Sequence, residues 1–230
     1  MDRADWDKLP QLASVEGVSL YFSLGLHPYF VGEITSEIAF EHLQELKIRV
    51  HSADPRMRAI GECGLDFVRA RSEDQRRLQV AVFREQLELA RATGIPLTIH
   101  SVKAHGRMVE LLCERPTPAS VLHAFSGSAE VARILVDAGH YVSFAGNLLL
   151  ANARKVVEAA VAVPDSRLLL ETDSPDQTPP ARRPLANEPA FIRDIAERLA
   201  QLRDTSVEAI AALTFANAER VFGVDASPRA

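Results

Sequence analysis

The chain has 230 residues, 47% hydrophobic and 25% charged, which is ordinary for a soluble globular protein and enough for one large α/β domain or two small ones. A net charge of -5 excludes nucleic-acid binding by bulk positive charge and leaves only a local basic patch open. Two cysteines, Cys63 and Cys113, imply no disulfide framework and suit a reducing cytoplasm; no apolar stretch reaches membrane-spanning length, and the polar, acidic start MDRADWDKLP does not read as a signal peptide.

In chain order, WDKLPQLASV (6–15) reads as a short helix and VSLYFSLGL (18–26) as the first strand. Five more apolar runs follow: MRAIGE (57–62), PLTIH (96–100), SVLHAF (120–125), YVSFAG (141–146) and LLLET (168–172). They are apolar almost throughout rather than alternating, the pattern of parallel strands covered on both faces. Between them lie amphipathic segments. Ser72 to Gln75 has the capping-box form, followed by Leu78, Val82, Leu87 and Ala90 on one face and a stop at Gly94 and Pro96. Residues 128–139 carry an apolar stripe closed by Gly139. In 187–202 Asn187 is the expected cap, and Thr205 to Glu208 offers a capping box for the last helices. The stretch DSPDQTPPARRPLANEP (173–189) reads as a long loop. Strand–helix repeats of this length predict a TIM-barrel-like α/β fold in a single domain, residues 1–230. The alternative, a doubly wound open sheet, usually carries a Gly-rich phosphate loop, and none is present.

Four of the apolar runs end on polar residues. Glu62 closes MRAIGE, His100 closes PLTIH, His123 sits in SVLHAF and Asp173 follows LLLET. At the C-terminal ends of parallel barrel strands such residues converge on one face. Two imidazoles and two carboxylates there make a set of donors for a divalent metal, zinc or manganese by their chemistry. Taken singly, each has an ordinary reading as a solvated strand end, a helix cap or a structural histidine. His105 and His140 read as surface residues and Cys63 as packing, while Asp66 reads as a loop anchor or, alternatively, as a group that orients a site residue.

The motifs GLHP (25–28), AIGECGLDF (59–67), the glutamine-bearing segment DQRRLQVAVFREQLELA (74–90), PLTIHS (96–101), LHAFSG (122–127), LLLETDSP (168–175) and NEP (187–189) resemble those of the TatD-type metal-dependent DNases, in the family's order and spacing from about residue 18 to Gly223. The resemblance implies a TIM barrel of the amidohydrolase type and a hydrolase that uses divalent metal on DNA phosphodiesters, with 3′-to-5′ exonuclease action. It implies that Glu62, His100, His123 and Asp173 are metal ligands, with Asp173 and Glu62 also catalytic, and that His27 is a site residue. The cofactor it implies is one or two ions of Mg, Mn or Zn. The chain departs from the family pattern in having no His-x-His and no strand–helix–strand before VSLYFSLGLHP, so six parallel strands of the usual eight are expected in an N-terminally shortened domain.

With such a site, a metal-bound water attacks phosphorus and Asp173 takes its proton. DNA is the expected partner, with neither membrane nor obligate protein partner. His27, Arg69, Lys103, Arg182 and Arg183 are the candidates to bind substrate, joined by Arg71 and Arg107 on the same loops, since guanidinium forks suit phosphate. The alternatives are a metal-dependent hydrolase of a substrate other than nucleic acid, and an inactive shortened homologue.

Overall fold

The computed structural model describes residues 3–12, 18–52 and 54–224. The chain divides into two compact units, one of residues 1–120 and 222–230, the other of residues 121–221.

In the first unit three strands pair in parallel in chain order: β1 (Phe22–Leu24), β2 (Met57–Asp66) and β3 (Leu97–Val102). Helices α1 (Pro28–Val31), α2 (Ser36–His51), α3 (Glu73–Thr93) and α4 (His105–Cys113) follow or link them. Ile60, Leu65, Leu97 and Ile99 are fully buried, which is what the unbroken apolar runs predict. At about 1.5–3 kcal/mol for each large apolar side chain removed from water, these strands carry much of the unit's stability. The predicted capping box is present. Ser72 Oγ accepts from the Gln75 N–H and Gln75 Oε1 from the Ser72 N–H, and α3 stops where Gly94 turns left-handed, φ 72°.

Strand boundaries differ from the sequence reading at both ends. β1 is only three residues long, and β2 runs on through Asp66, so Glu62 lies inside a strand rather than at its end. The predicted helix over 6–15 is instead a turn followed by one 3₁₀ turn, Leu9–Gln11; residues 13–15 lie outside the described residues. Trp6 anchors this segment. It is fully buried, donates from Nε1 to Gly25 O at 3.3 Å, and has the Arg49 guanidinium 5.7 Å over its ring.

In the second unit β4 (Val121–Leu122), β5 (Tyr141–Phe144) and β6 (Leu168–Leu170) also pair in parallel in chain order. They alternate with α5 (Ala129–Asp137) and α6 (Arg154–Ala162), and α7 (Ile192–Arg203) and α8 (Val207–Phe222) follow. Asn217, buried on α8, donates to the carbonyls of Asp165 and Leu168 and fixes the entry to β6. Asn187 does not cap a helix. Its amide donates to Thr172 O and Asp176 O, tying the long loop to the end of β6, and α7 starts only at Ile192. The last helix is capped by Ser206, whose Oγ accepts from the Ala209 N–H, rather than by Thr205. Among the described residues no helix is long and apolar enough to cross a membrane.

His140 is a further correction. It is 1% exposed, not a surface residue. Burial, with Arg167 adding, pushes its pKa down to about 4. Above pH 6.5 the ring is neutral folded or unfolded. As pH falls from 6.5 to 4 the unfolded chain takes up a proton that the folded chain refuses, so stability declines, by up to about 3 kcal/mol. Urea unfolding at pH 7 and pH 4.5 checks this. His140→Phe is expected to lose roughly 2–3 kcal/mol less than the wild type between the two pH values, and an equal loss in both proteins contradicts the assignment.

Candidate metal centres

In the first unit the pairing of β2 with β3 skips one residue. Gly61 pairs with Thr98 and Cys63 with Ile99, so Glu62 sits on a bulge between them. A bulge re-aims a side chain out of the regular pleat. Here it sets Glu62 Oε1 3.0 Å from Nδ1 of His100 on β3 and 3.1 Å from Nε2 of His27, which caps α1 after β1. Gly64 is required beside this site. It has φ +130°, and a Cβ there would stand 2.1 Å from the carbonyl oxygen of His100.

Proton positions follow from the partners. The Tyr29 N–H donates to His27 Nδ1 at 3.1 Å, so that nitrogen carries no proton. The neutral ring then bears its proton on Nε2 and donates it to Glu62. Burial holds His27 below the ordinary histidine range, although Glu62 pulls the other way, which keeps the ring neutral. His27, Glu62 and His100 offer donor atoms within 4.8 Å of one another. The tautomer nevertheless makes His27 a hydrogen-bond donor into the cluster and not a ligand.

His100 is wired the opposite way. Its Nε2 lies 3.1 Å from Oδ2 of the buried Asp66, a carboxylate that needs donors. With the proton there, the Nδ1 lone pair faces Glu62 Oε1. Two acceptors 3.0 Å apart repel unless a positive charge lies between or beside them. Donor atoms about 2.1 Å from one ion and set at right angles around it are themselves about 3.0 Å apart. The pair therefore fits a divalent cation. Asp66 also accepts the N–H groups of Val68 and Arg69 on Oδ1, so it is both the loop anchor expected from sequence and the group that orients His100.

Helix α3 holds these pieces with one face. Its buried Gln79 accepts from the Asp66 N–H and donates to Pro28 O, and Gln86, two turns on, pairs with both the N–H and C=O of Leu26. Each glutamine is fully buried with its amide satisfied, as a buried amide must be. Cys63, beside Glu62, is buried with its thiol pushed well up by burial, so it is packing and not a nucleophile.

In the second unit His123 follows β4 and Glu171 and Asp173 follow β6. His123 Nδ1 is 2.6 Å from Glu171 Oε1, which also accepts from the Ala124 N–H, and His123 Nε2 is 3.5 Å from Asp173 Oδ1. The arrangement repeats that of His100: one nitrogen is held by a carboxylate, and the other presents its lone pair to a second carboxylate. Gln177 donates to the remaining oxygen of Asp173 at 2.6 Å. Gly146 makes room for this clamp, since a Cβ there would meet Gln177 O at 2.1 Å. Ala124, Asp173 and Gln177 have φ of 41°, 61° and 54°. Left-handed backbone costs non-glycine residues roughly 1–2 kcal/mol each, a cost concentrated at functional loops.

The sequence missed Glu171. It stands in LLLET, where a carboxylate after three leucines looks like a solvated strand exit. It also left the partners of His100 and His123 unnamed. Of the substrate candidates, Arg182 forks its guanidinium onto Asp194 at 2.7–2.8 Å and lies over Phe191, anchoring the loop to α7. Arg69 is exposed with its guanidinium 4.7 Å from the centre of the Tyr29 ring. Lys103 and Arg183 are exposed, as is Arg71, while Arg107 pairs with Glu110. His105 starts α4 half-buried rather than on the surface.

The sequence profile of the TatD related DNase family matches residues 1–223, and the chain belongs to that family. A Bacillus subtilis protein named "uncharacterized metal-dependent hydrolase YabD" is 36% identical over 208 residues, 90% of this chain and 78% of the relative. A Cronobacter turicensis protein named "3'-5' ssDNA/RNA exonuclease TatD" is 36% identical over 215 residues, 89% of this chain and 77% of the relative. Among solved structures, YJJV, a TatD homologue from Escherichia coli K12, matches with a TM-score of 0.84 at 28% identity, covering 96% of this chain and 83% of its own. The α/β, TIM-barrel-like class with six parallel strands is thus the one the sequence predicts.

If Asp66 and Glu171 orient the two histidines, Asp66→Asn and Glu171→Gln should each weaken Mn²⁺ binding by about 10–100-fold with the ligands untouched. Calorimetric titration of the metal-free variants measures this, and unchanged affinity in both removes the carboxylates from that role.

Proposed function

We propose that this TatD-family metal-dependent hydrolase cleaves DNA phosphodiester bonds from a 3′ end, with residues 1–230 acting as one hydrolase domain. The observation that carries the reading is the repeated wiring of His100 and His123, each held by one carboxylate and facing another. The exonuclease name of the Cronobacter relative supports the substrate class. Glu62 and His100 would hold an ion in the first unit, and His123 and Asp173 one in the second. One or two ions of Mg, Mn or Zn bound there supply a water acidic enough to act near neutral pH and offset charge on the phosphoryl oxygens.

The chain's own groups do the rest. Gln177 donates to Asp173 Oδ2 and so steadies the carboxylate that takes the proton of the attacking water. A phosphorus–oxygen bond forms to that water while the bond to the departing nucleotide oxygen breaks. Glu62 keeps its carboxylate between the two imidazoles. His27 would serve the substrate as a neutral Nε2–H donor beside Glu62. Arg69, Lys103 and Arg183, all exposed on loops, supply phosphate contacts. Arg182 contributes by holding its loop on Asp194. The free cysteines Cys63 and Cys113 agree with action in a reducing cytoplasm.

End-labelled single-stranded DNA with Mn²⁺ or Mg²⁺ tests the reading. Asp173→Asn, which removes both the base and a carboxylate that would hold an ion, should lower kcat about 10²–10⁴-fold and lower metal content. Glu62→Gln should lower activity and metal content together. A wild-type chain that hydrolyses small esters but not DNA would overturn the substrate assignment.

A further inference from the structure

Beside the cluster of the first unit lies a pair of side chains that the metal chemistry does not use. Tyr29 follows His27 by two residues. Its ring stands edge-on to both imidazoles, 4.5 Å from His27 and 5.4 Å from His100 by ring centres, and remains 37% exposed. Burial raises the phenol's pKa, against a hydrogen bond from Arg69 that pulls the other way. The exposed Arg69 lays its guanidinium 4.7 Å from the ring centre. Neither residue is a loosely placed surface group. The Tyr29 N–H is bonded to His27 Nδ1, and the Arg69 N–H is bonded to Asp66 Oδ1 at 2.7 Å. Each is therefore tied through its own backbone to a residue of the cluster.

We infer that Arg69, stacked on Tyr29, forms a platform that receives the unpaired base of the nucleotide whose phosphate is presented to the Glu62–His100 cluster. The inference rests on the proposed nuclease function and adds the feature recognised: an unstacked base, not the phosphate alone. A planar guanidinium backed by an aromatic ring has one face left to offer. Such a face stacks on any base, because every base has a π surface. Its position two residues from His27 puts the stacked base next to the reacting phosphate. A base still paired inside a duplex cannot occupy the platform without leaving its own stack, so the pair favours single-stranded ends.

The test compares two labelled single strands of the same sequence, one with a normal 3′-terminal nucleotide and one with an abasic 3′-terminal nucleotide. KM is measured with Mn²⁺, and binding by anisotropy is measured without metal. The wild type is expected to bind the base-bearing end about tenfold more tightly. Tyr29→Leu should erase that difference by weakening only the base-bearing substrate, while Tyr29→Phe, which keeps the ring, retains it. A purely structural role for Tyr29 would change both substrates equally, and that result overturns the inference. So does a wild type that does not distinguish the two ends in binding. Base-dependent binding without cleavage would instead keep the platform and overturn the nuclease reading.

Discussion

The first unit is organised around a carboxylate oxygen, Glu62 Oε1, set 3.0–3.1 Å from nitrogens of two imidazoles. Such a cluster is stable only if every proton has one defined place, because an acceptor facing an acceptor at that distance is repulsive. The backbone and neighbouring side chains assign those places. The Tyr29 N–H donates to His27 Nδ1 and so keeps that nitrogen's lone pair occupied, and Asp66 accepts the proton of His100 Nε2. The Nδ1 of His100 is left facing Glu62 Oε1, a contact that would accept a divalent cation. The bulge in β2, the glycine at 64 and the two glutamines of α3 all serve this contact.

The second unit reaches the same chemistry with different parts. Glu171 takes the place of Asp66, Asp173 that of Glu62, and Gln177 replaces the helical glutamines as a clamp. Its loops carry left-handed backbone at Ala124, Asp173 and Gln177, and the first unit has it at Lys103 besides the glycines of β2. Asn187 and Asn147 hold these loops through backbone carbonyls, Asn147 bonding to those of Ala124 and Phe125. Rigid support of this kind matters because a ligand displaced by even a fraction of an ångström loses affinity.

Much of this was legible in the sequence. Six apolar runs gave six parallel strands, since burial on both faces leaves an unambiguous pattern. The four expected ligands also lie in the clusters, although β2 and β3 run on past Glu62 and His100. What could not be read depends on tertiary contact. Glu171 matters only because His123 and Ala124 arrive beside it from 47–48 positions away in the chain. His140 looked exposed because a single polar residue after Gly139 resembles a turn, and only packing decides otherwise. The pairing of Arg182 with Asp194, twelve residues on, is likewise a contact that the loop sequence does not show. Asn187 looked like a cap because asparagine caps well, yet its amide is worth more across two loop carbonyls.

The claim on which the account depends is that Glu62–His100 and His123–Asp173 are cation sites. A crystal of the chain soaked with Mn²⁺, with anomalous differences measured at the manganese edge, tests it most directly. The account predicts density at His100 Nδ1 with Glu62 and at His123 Nε2 with Asp173, and none bound to His27. Manganese coordinated by His27 Nε2, or the absence of manganese from both clusters at saturating concentration, would contradict it.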